Sequence, residues 1–177
     1  MKRILIVILS CLLISSFAFA EWTVGEKPDT EPDGFRGIKW GTSIDDLAGM
    51  EYYGTDTSYG GIRVYTKKNE DLKIGAANLE LVEYGFWQGK FSDVWIHTIG
   101  SINWRGLKEA TFEKFGAGYQ DNEDIENFVW GGPQTMMTLK YSEITEKGAL
   151  FIFSIVIYEQ QKAWRKRKAR EGAETGF

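Results

Sequence analysis

Leu81-Val82-Glu83-Tyr84-Gly85-Phe86-Trp87, Gln88-Gly89-Lys90 and Phe91-Ser92-Asp93-Val94-Trp95-Ile96-His97-Thr98-Ile99 form the stretch whose reading decides the fold. Two runs rich in aromatic and β-branched residues flank a short connection containing glycine, the pattern of a β-hairpin. Side chains alternate across a strand, so Val82, Tyr84 and Phe86 share one face of the first run, and Val94 and Ile96 share one face of the second. The chain therefore has an antiparallel sheet at its centre.

Downstream of the hairpin the period changes from 2 to 3.6. Trp104, Leu107, Thr111 and Phe115 recur at helical spacing. Asn103 suits the N-cap of this helix, with Ile102 and Leu107 placed to pack across its first turn, and Gly116 suits its end. An acidic loop over 121–126 follows. Strands are expected at 128–130, 134–141 and 149–158, separated by Gly131-Gly132-Pro133 and by Glu146-Lys147-Gly148. The nearly continuous apolar run from Leu150 to Ile157 fits a strand covered on both faces. Residues 159–170 contain neither Gly nor Pro and read as a C-terminal helix.

Upstream, Ile62–Lys67 alternates and reads as a strand, and the glycines within 54–61 mark a loop. Thr42 and Ser43 before Ile44, Asp45 and Asp46 resemble a capping box and predict a short helix. Residues 21–34, with Pro28 and Pro32 among charges, read as a flexible leader. Residues 1–20 have the layout of a secretory signal peptide: Lys2 and Arg3, an apolar run from Ile4 to Phe17, and Ala18-Phe19-Ala20 before Glu21. The run is too short for a membrane span, and Cys11 lies in a poor lipidation context.

The expected class is α+β, an antiparallel sheet with helices packed on one face. The order of helix, loop and strands occurs twice, which is compatible with a duplicated helix-plus-strands unit. The organisation is a signal peptide over 1–20, a leader over 21–34, an α+β domain over 35–158, and a basic helix and tail over 159–177.

Gly37-Ile38-Lys39-Trp40-Gly41-Thr42-Ser43, the Tyr84-Gly85-Phe86 hairpin with Gly89-Lys90, and Phe115-Gly116 resemble small exported bacterial proteins, mostly uncharacterised. The layout is more distantly similar to the SmpA/BamE outer-membrane assembly lipoproteins and to the tandem-repeat β-lactamase inhibitor proteins. That resemblance implies binding or assembly without catalysis. The chain departs from the first group in lacking a lipobox and from the second in lacking cysteines after the signal peptide.

Composition bounds the function classes. Residues 21–158 hold 13 Lys and Arg against 22 Asp and Glu, an acidic body that argues against nucleic acid. Residues 159–177 hold 6 against 3 and are basic. Cys11, the single cysteine, falls in the signal peptide, so the exported chain has neither disulfide nor thiol chemistry. His97 is the single histidine and reads as an ordinary strand residue without metal-site partners. Asp45 and Asp46 suit helix capping, and the 121–126 acids suit a solvated loop because an EF-hand's glycine and final bidentate acid are missing.

Of the seven tryptophans, Trp40, Trp104 and Trp130 suit the core, while Trp22 and Trp164 are the better binding candidates. Lys162, Arg165, Lys166, Arg167, Lys168 and Arg170 join Trp164 in a basic segment suited to an anionic lipid surface or to the acidic body itself. The expected role is a periplasmic or secreted, non-enzymatic protein without cofactor or metal, released near Ala20, binding a protein or envelope component. An envelope glycan hydrolase using a carboxylate pair is an alternative, and a peripheral membrane-associated assembly accessory is another.

Overall fold

The structure is a computed structural model and describes residues 27, 29–57 and 61–176. The proposed signal peptide, half of the leader, and Trp22 lie outside the described residues.

Seven antiparallel strands form the sheet: β1 Met50–Asp56, β2 Ile62–Lys67, β3 Leu81–Trp87, β4 Lys90–Ile99, β5 Asn127–Gly131, β6 Thr135–Ser142 and β7 Lys147–Ser154. Their spatial order is β1-β2-β3-β4-β7-β6-β5. A four-strand meander and a three-strand meander therefore join where β4 pairs with β7. The connection between them is α1, Ser101–Phe115. The second helix, α2, runs over Ile155–Gly176 directly from β7. The α+β class and the antiparallel sheet are as the sequence predicts.

The hairpin that decided the reading is β3–β4. Gln88 and Gly89 turn with φ of 49° and 76°, the left-handed pair that a two-residue hairpin loop of this hand requires. Opposite Gly85 and Phe86 the register shifts: Gly85 pairs with Asp93 but Phe86 pairs with Phe91, leaving Ser92 as an extra residue.

Alternation divides the sheet into two faces. Val82, Tyr84, Phe86, Phe91, Val94, Ile96, Met137, Leu139, Leu150 and Ile152 point into the core. α1 covers that face with Trp104, Leu107, Thr111 and Phe115 buried. Trp104 stacks on Tyr141 at 5.2 Å, and Phe112 meets Phe128 edge-on at 5.0 Å. Trp40 stacks on Phe91 at 4.8 Å, with its indole N–H donating to Thr135 Oγ1 at 2.9 Å. Tyr84 donates to Glu70 at 2.7 Å, Glu70 in turn pairs with Arg36, and the burial of Tyr84 with its acidic partner pushes the phenol pKa up. The core-filling roles expected of Trp40, Trp104 and Trp130 are thus met.

α2 lies on the opposite face, against β6 and β7, so the two helices do not share a face as expected. Other differences are local. The helix expected after Thr42-Ser43 is a single 3-10 turn, Ile44–Asp46, and Ser43 makes no side-chain cap. β1 occupies what read partly as loop; it is a mostly exposed edge strand whose register shifts at Tyr53. α1 is capped at Gly100, and Asn103 instead donates to Ile99 O and accepts from Asn78 N. Ile102 is 74% exposed and does not pack across the first turn. The apolar run over 149–158 stops being a strand at Ser154, opposite the first residue of β6. There the Ser154 hydroxyl oxygen lies 3.4 Å from Ile157 N and marks the helix start.

The leader is anchored where it is described. Glu31 accepts hydrogen bonds from the Gln134 and Thr135 amides, both at 2.6 Å, and Pro32 O accepts from Thr135 Oγ1 at 2.6 Å. Lys27 N donates to Phe115 O at 2.9 Å. At Lys27, Glu31 and Pro32 it is bonded to the domain.

Leu107, fully buried where α1 meets the sheet, and exposed Ile102 make an internal comparison. Leu107→Ala is expected to cost about 3 kcal/mol and Ile102→Ala less than about 0.5 kcal/mol, measured by urea unfolding.

Candidate functional site

The face under α2 is a groove of about 610 Å³, and its lining follows from the strand phase. β3 contributes Glu83 and Gly85, β4 contributes Ser92, Asp93, Trp95 and His97, and β7 contributes Phe151 and Phe153. β6 adds Thr138 and Lys140. Ile157, Tyr158 and Gln161 form the wall from α2, while Asp56, Ile62 and Val64 close the end toward β1 and β2.

The floor is a row of half-buried rings. Trp95 stacks on Phe151, its cross-strand partner, at 4.2 Å, and Phe151 stacks on Phe153 at 5.2 Å. His97 lies parallel to Trp95 at 6.0 Å, and Phe153 meets Tyr158 of α2 at 5.5 Å. The Lys140 ammonium stands 5.3 Å from the centre of Trp95.

Two carboxylates on this floor have different environments. Glu83 and His97 lie diagonally across β3 and β4, 2.7 Å apart between Oε2 and Nε2. Asp93 is only 6% exposed, and its carboxylate accepts the Ser92 hydroxyl proton at 2.6 Å. Burial pushes the Asp93 carboxyl up to about 6; the Ser92 hydrogen bond opposes this, and the Asp56 and Glu83 charges add to it. Gly85 makes the placement sterically feasible: a Cβ there would lie 2.2 Å from Asp93 Oδ1.

The residues singled out from sequence fall mostly elsewhere. Trp164 is not a free aromatic anchor; it meets Trp87 edge-on at 6.4 Å. Ile157, Gln161, Trp164 and Arg165, spaced along one stripe of α2, are its more buried positions. Lys166, Arg167, Lys168 and Arg170 are exposed on the part of the helix beyond that stripe, and Arg167 and Lys168 pair with Glu171 at 3.7 and 2.7 Å. The groove residues Asp93, Trp95, Phe151 and Phe153 were not singled out. The available signal was a lone acid, Asp93, in the aromatic and β-branched second run of the hairpin.

Among the described residues no group of three or more His, Cys, Asp or Glu is placed to hold a metal ion. No described helix is long and apolar enough to cross a membrane. Comparison with protein families, with curated proteins and with solved structures finds no match.

The Asp93 carboxyl has a stability consequence. A carboxyl whose folded pKa lies above its unfolded value of 3.8 favours folding only while protonated, so its contribution is present below 3.8 and lost as pH rises through about 6. The resulting cost at neutral pH is on the order of 3 kcal/mol. Asp93→Asn, which keeps an acceptor for Ser92, is expected to stabilise the protein by about 1–3 kcal/mol at pH 7.5 and by little at pH 4. Urea unfolding at the two pH values checks this; equal effects at both would contradict it.

Proposed function

We propose that this chain is an exported, non-enzymatic binding protein of the cell envelope, with its ligand site in the groove between the sheet and α2. The observation carrying the reading is a carboxylate, Asp93, that is almost wholly buried at the end of an aromatic floor with no described Lys or Arg paired to it. A domain selected for stability alone would gain by replacing it. The groove's size also falls within the range of small-ligand sites, and a few polar groups on a mostly apolar lining match their usual composition. Export rests on the layout of residues 1–20; N-terminal sequencing of the periplasmic product should begin at Glu21. A product still beginning at Met1 would contradict export by cleavage.

N-phenyl-1-naphthylamine, an apolar aromatic probe without a strong charge, tests the site. It should bind the full chain saturably at one site, with amide shifts centred on Trp95 and Phe151. Trp95→Ala should weaken binding about five- to tenfold. No saturable binding, or shifts centred elsewhere, would overturn the groove as the site.

A second reading has its own observation. Glu83 and Asp93 are diagonal neighbours on one face of β3–β4, which sets their Cα atoms roughly 7–8 Å apart. Glycan hydrolases use two carboxyl groups roughly 5–9.5 Å apart, a separation that side chains on such neighbouring positions can reach. Binding is favoured because Glu83 is already engaged by His97, and Asp93 is almost wholly covered. Release of soluble fragments from peptidoglycan, abolished by Glu83→Gln, would reverse that preference. Salt-sensitive sedimentation of the full chain with anionic vesicles would instead favour a membrane accessory acting through the exposed basic residues of α2.

A further inference from the structure

We propose that the groove is selective for an amphiphilic cation, an ammonium seated at the Asp93 end with an apolar body lying along Trp95, Phe151 and Phe153. This rests on the groove being the ligand site and names the chemistry it would take.

The charges in the groove are unevenly placed. Asp93 is nine-tenths buried and lines the cavity, with Ser92 as its hydrogen-bond donor and no Lys or Arg paired with it. Asp56 and Glu83 are close enough to raise its proton affinity, so the potential at this end is negative. The backbone of Lys140, the one lysine among the described lining residues, is toward the other end, while its ammonium stands over the Trp95 ring. It pairs across β6–β7 with Ala149, which pairs with His97. Asp93 and His97 are four residues apart on β4, or roughly 13 Å at strand rise. The cavity therefore has a buried acid at the Asp93 end and rings along its floor, with the lysine ammonium over Trp95 and the Glu83 carboxylate held against His97.

A cation at the acidic end would take up the anion that folding leaves without a countercharge, in a site where water competes weakly. Phe153, the cross-strand partner of Asp93, and Tyr158 beside it on α2 add ring surfaces for cation–π contact. A carboxylate or sulfate head would meet the buried Asp93 carboxylate there and be repelled. Gly85 fits the same account, because any side chain at that position would occupy the space of the carboxylate.

The titratable and charged groups lining the cavity with Asp93 are Asp56 from β1, Glu83 from β3, His97 along β4 and Lys140 from β6; α2 contributes Tyr158 and Gln161, with the half-buried Arg165 one turn further along the same stripe. Lowering pH neutralises Asp93 near 6, so affinity for a cation should fall from pH 7.5 to 5, while affinity for a neutral analogue should not.

Three probes with one apolar body separate the possibilities: 4-phenylbutylamine, 4-phenylbutanol and 4-phenylbutyrate, titrated into the full chain by NMR. The amine should bind at least about tenfold more tightly than the acid, with the alcohol between them, and Asp93→Asn should reduce that preference to about threefold or less. Comparable binding of all three leaves the groove as a ligand site and overturns cation selectivity. No binding of any of them at Trp95 or Phe151 overturns both. A measurement on the unaltered chain guards against a variant that does not fold. Saturating amine should lower the titration midpoint of the Asp93 carboxyl carbon, and an unchanged midpoint would overturn the proposal.

Discussion

The extra residue at Ser92 is the constraint on which the rest of the molecule depends. Without it, Phe91 and Val94, three positions apart, would point to opposite faces of β4. The shift puts both into the core and turns Asp93, Trp95 and His97 together toward the other face. A shift of one residue in a strand exchanges its faces, so this bulge turns the apolar Phe91 and Val94 toward α1 and Asp93, Trp95 and His97 toward α2. Bulges are common beside sites for this reason.

The two faces are stabilised differently. The α1 side is a closed aromatic and aliphatic core, tied at its margins by the Trp40 indole and by the Arg36–Glu70–Tyr84 network. The α2 side is only partly covered: Ile157 and Gln161 are buried, and the rings of β4 and β7 remain half-exposed. A half-covered aromatic floor with a desolvated acid is a weak basis for stability and a good one for recognition. The closed packing is on one face and the half-covered groove on the other, and Gly85 is the position where the backbone of one strand makes room for the Asp93 carboxylate of the next.

Much of the secondary structure was legible because local pattern and tertiary burial agree there. The β3–β4 hairpin, the 3.6 period of α1, and the strands β2, β5 and β6 all show this agreement. The misreadings occur where the two diverge. β1 is an edge strand exposed on most of its length, so it has no apolar alternation to read. Ile155, Val156 and Ile157 have strand propensity, yet β6 begins opposite Ser154 and the ladder has no further register to offer. Thr42 and Ser43 have the composition of a cap, but Ile44 N is already bonded to Gly89 O and Phe91 N to Thr42 O, which holds the segment against the hairpin.

The sequence by itself determined the α+β class, the central hairpin, the core tryptophans and the separation of an acidic body from a basic tail. These depend on periodicity and composition, which are local. Only the tertiary structure decided that α2 crosses to the second face and that Asp93, Trp95, Phe151 and Phe153 share one cavity. Those residues come from two strands separated by α1 and two further strands, and their meeting depends on the β4–β7 pairing and on the phase set at Ser92. Neither is a property of any window of sequence: strand pairing is selected by the burial of whole faces, after the local elements have formed.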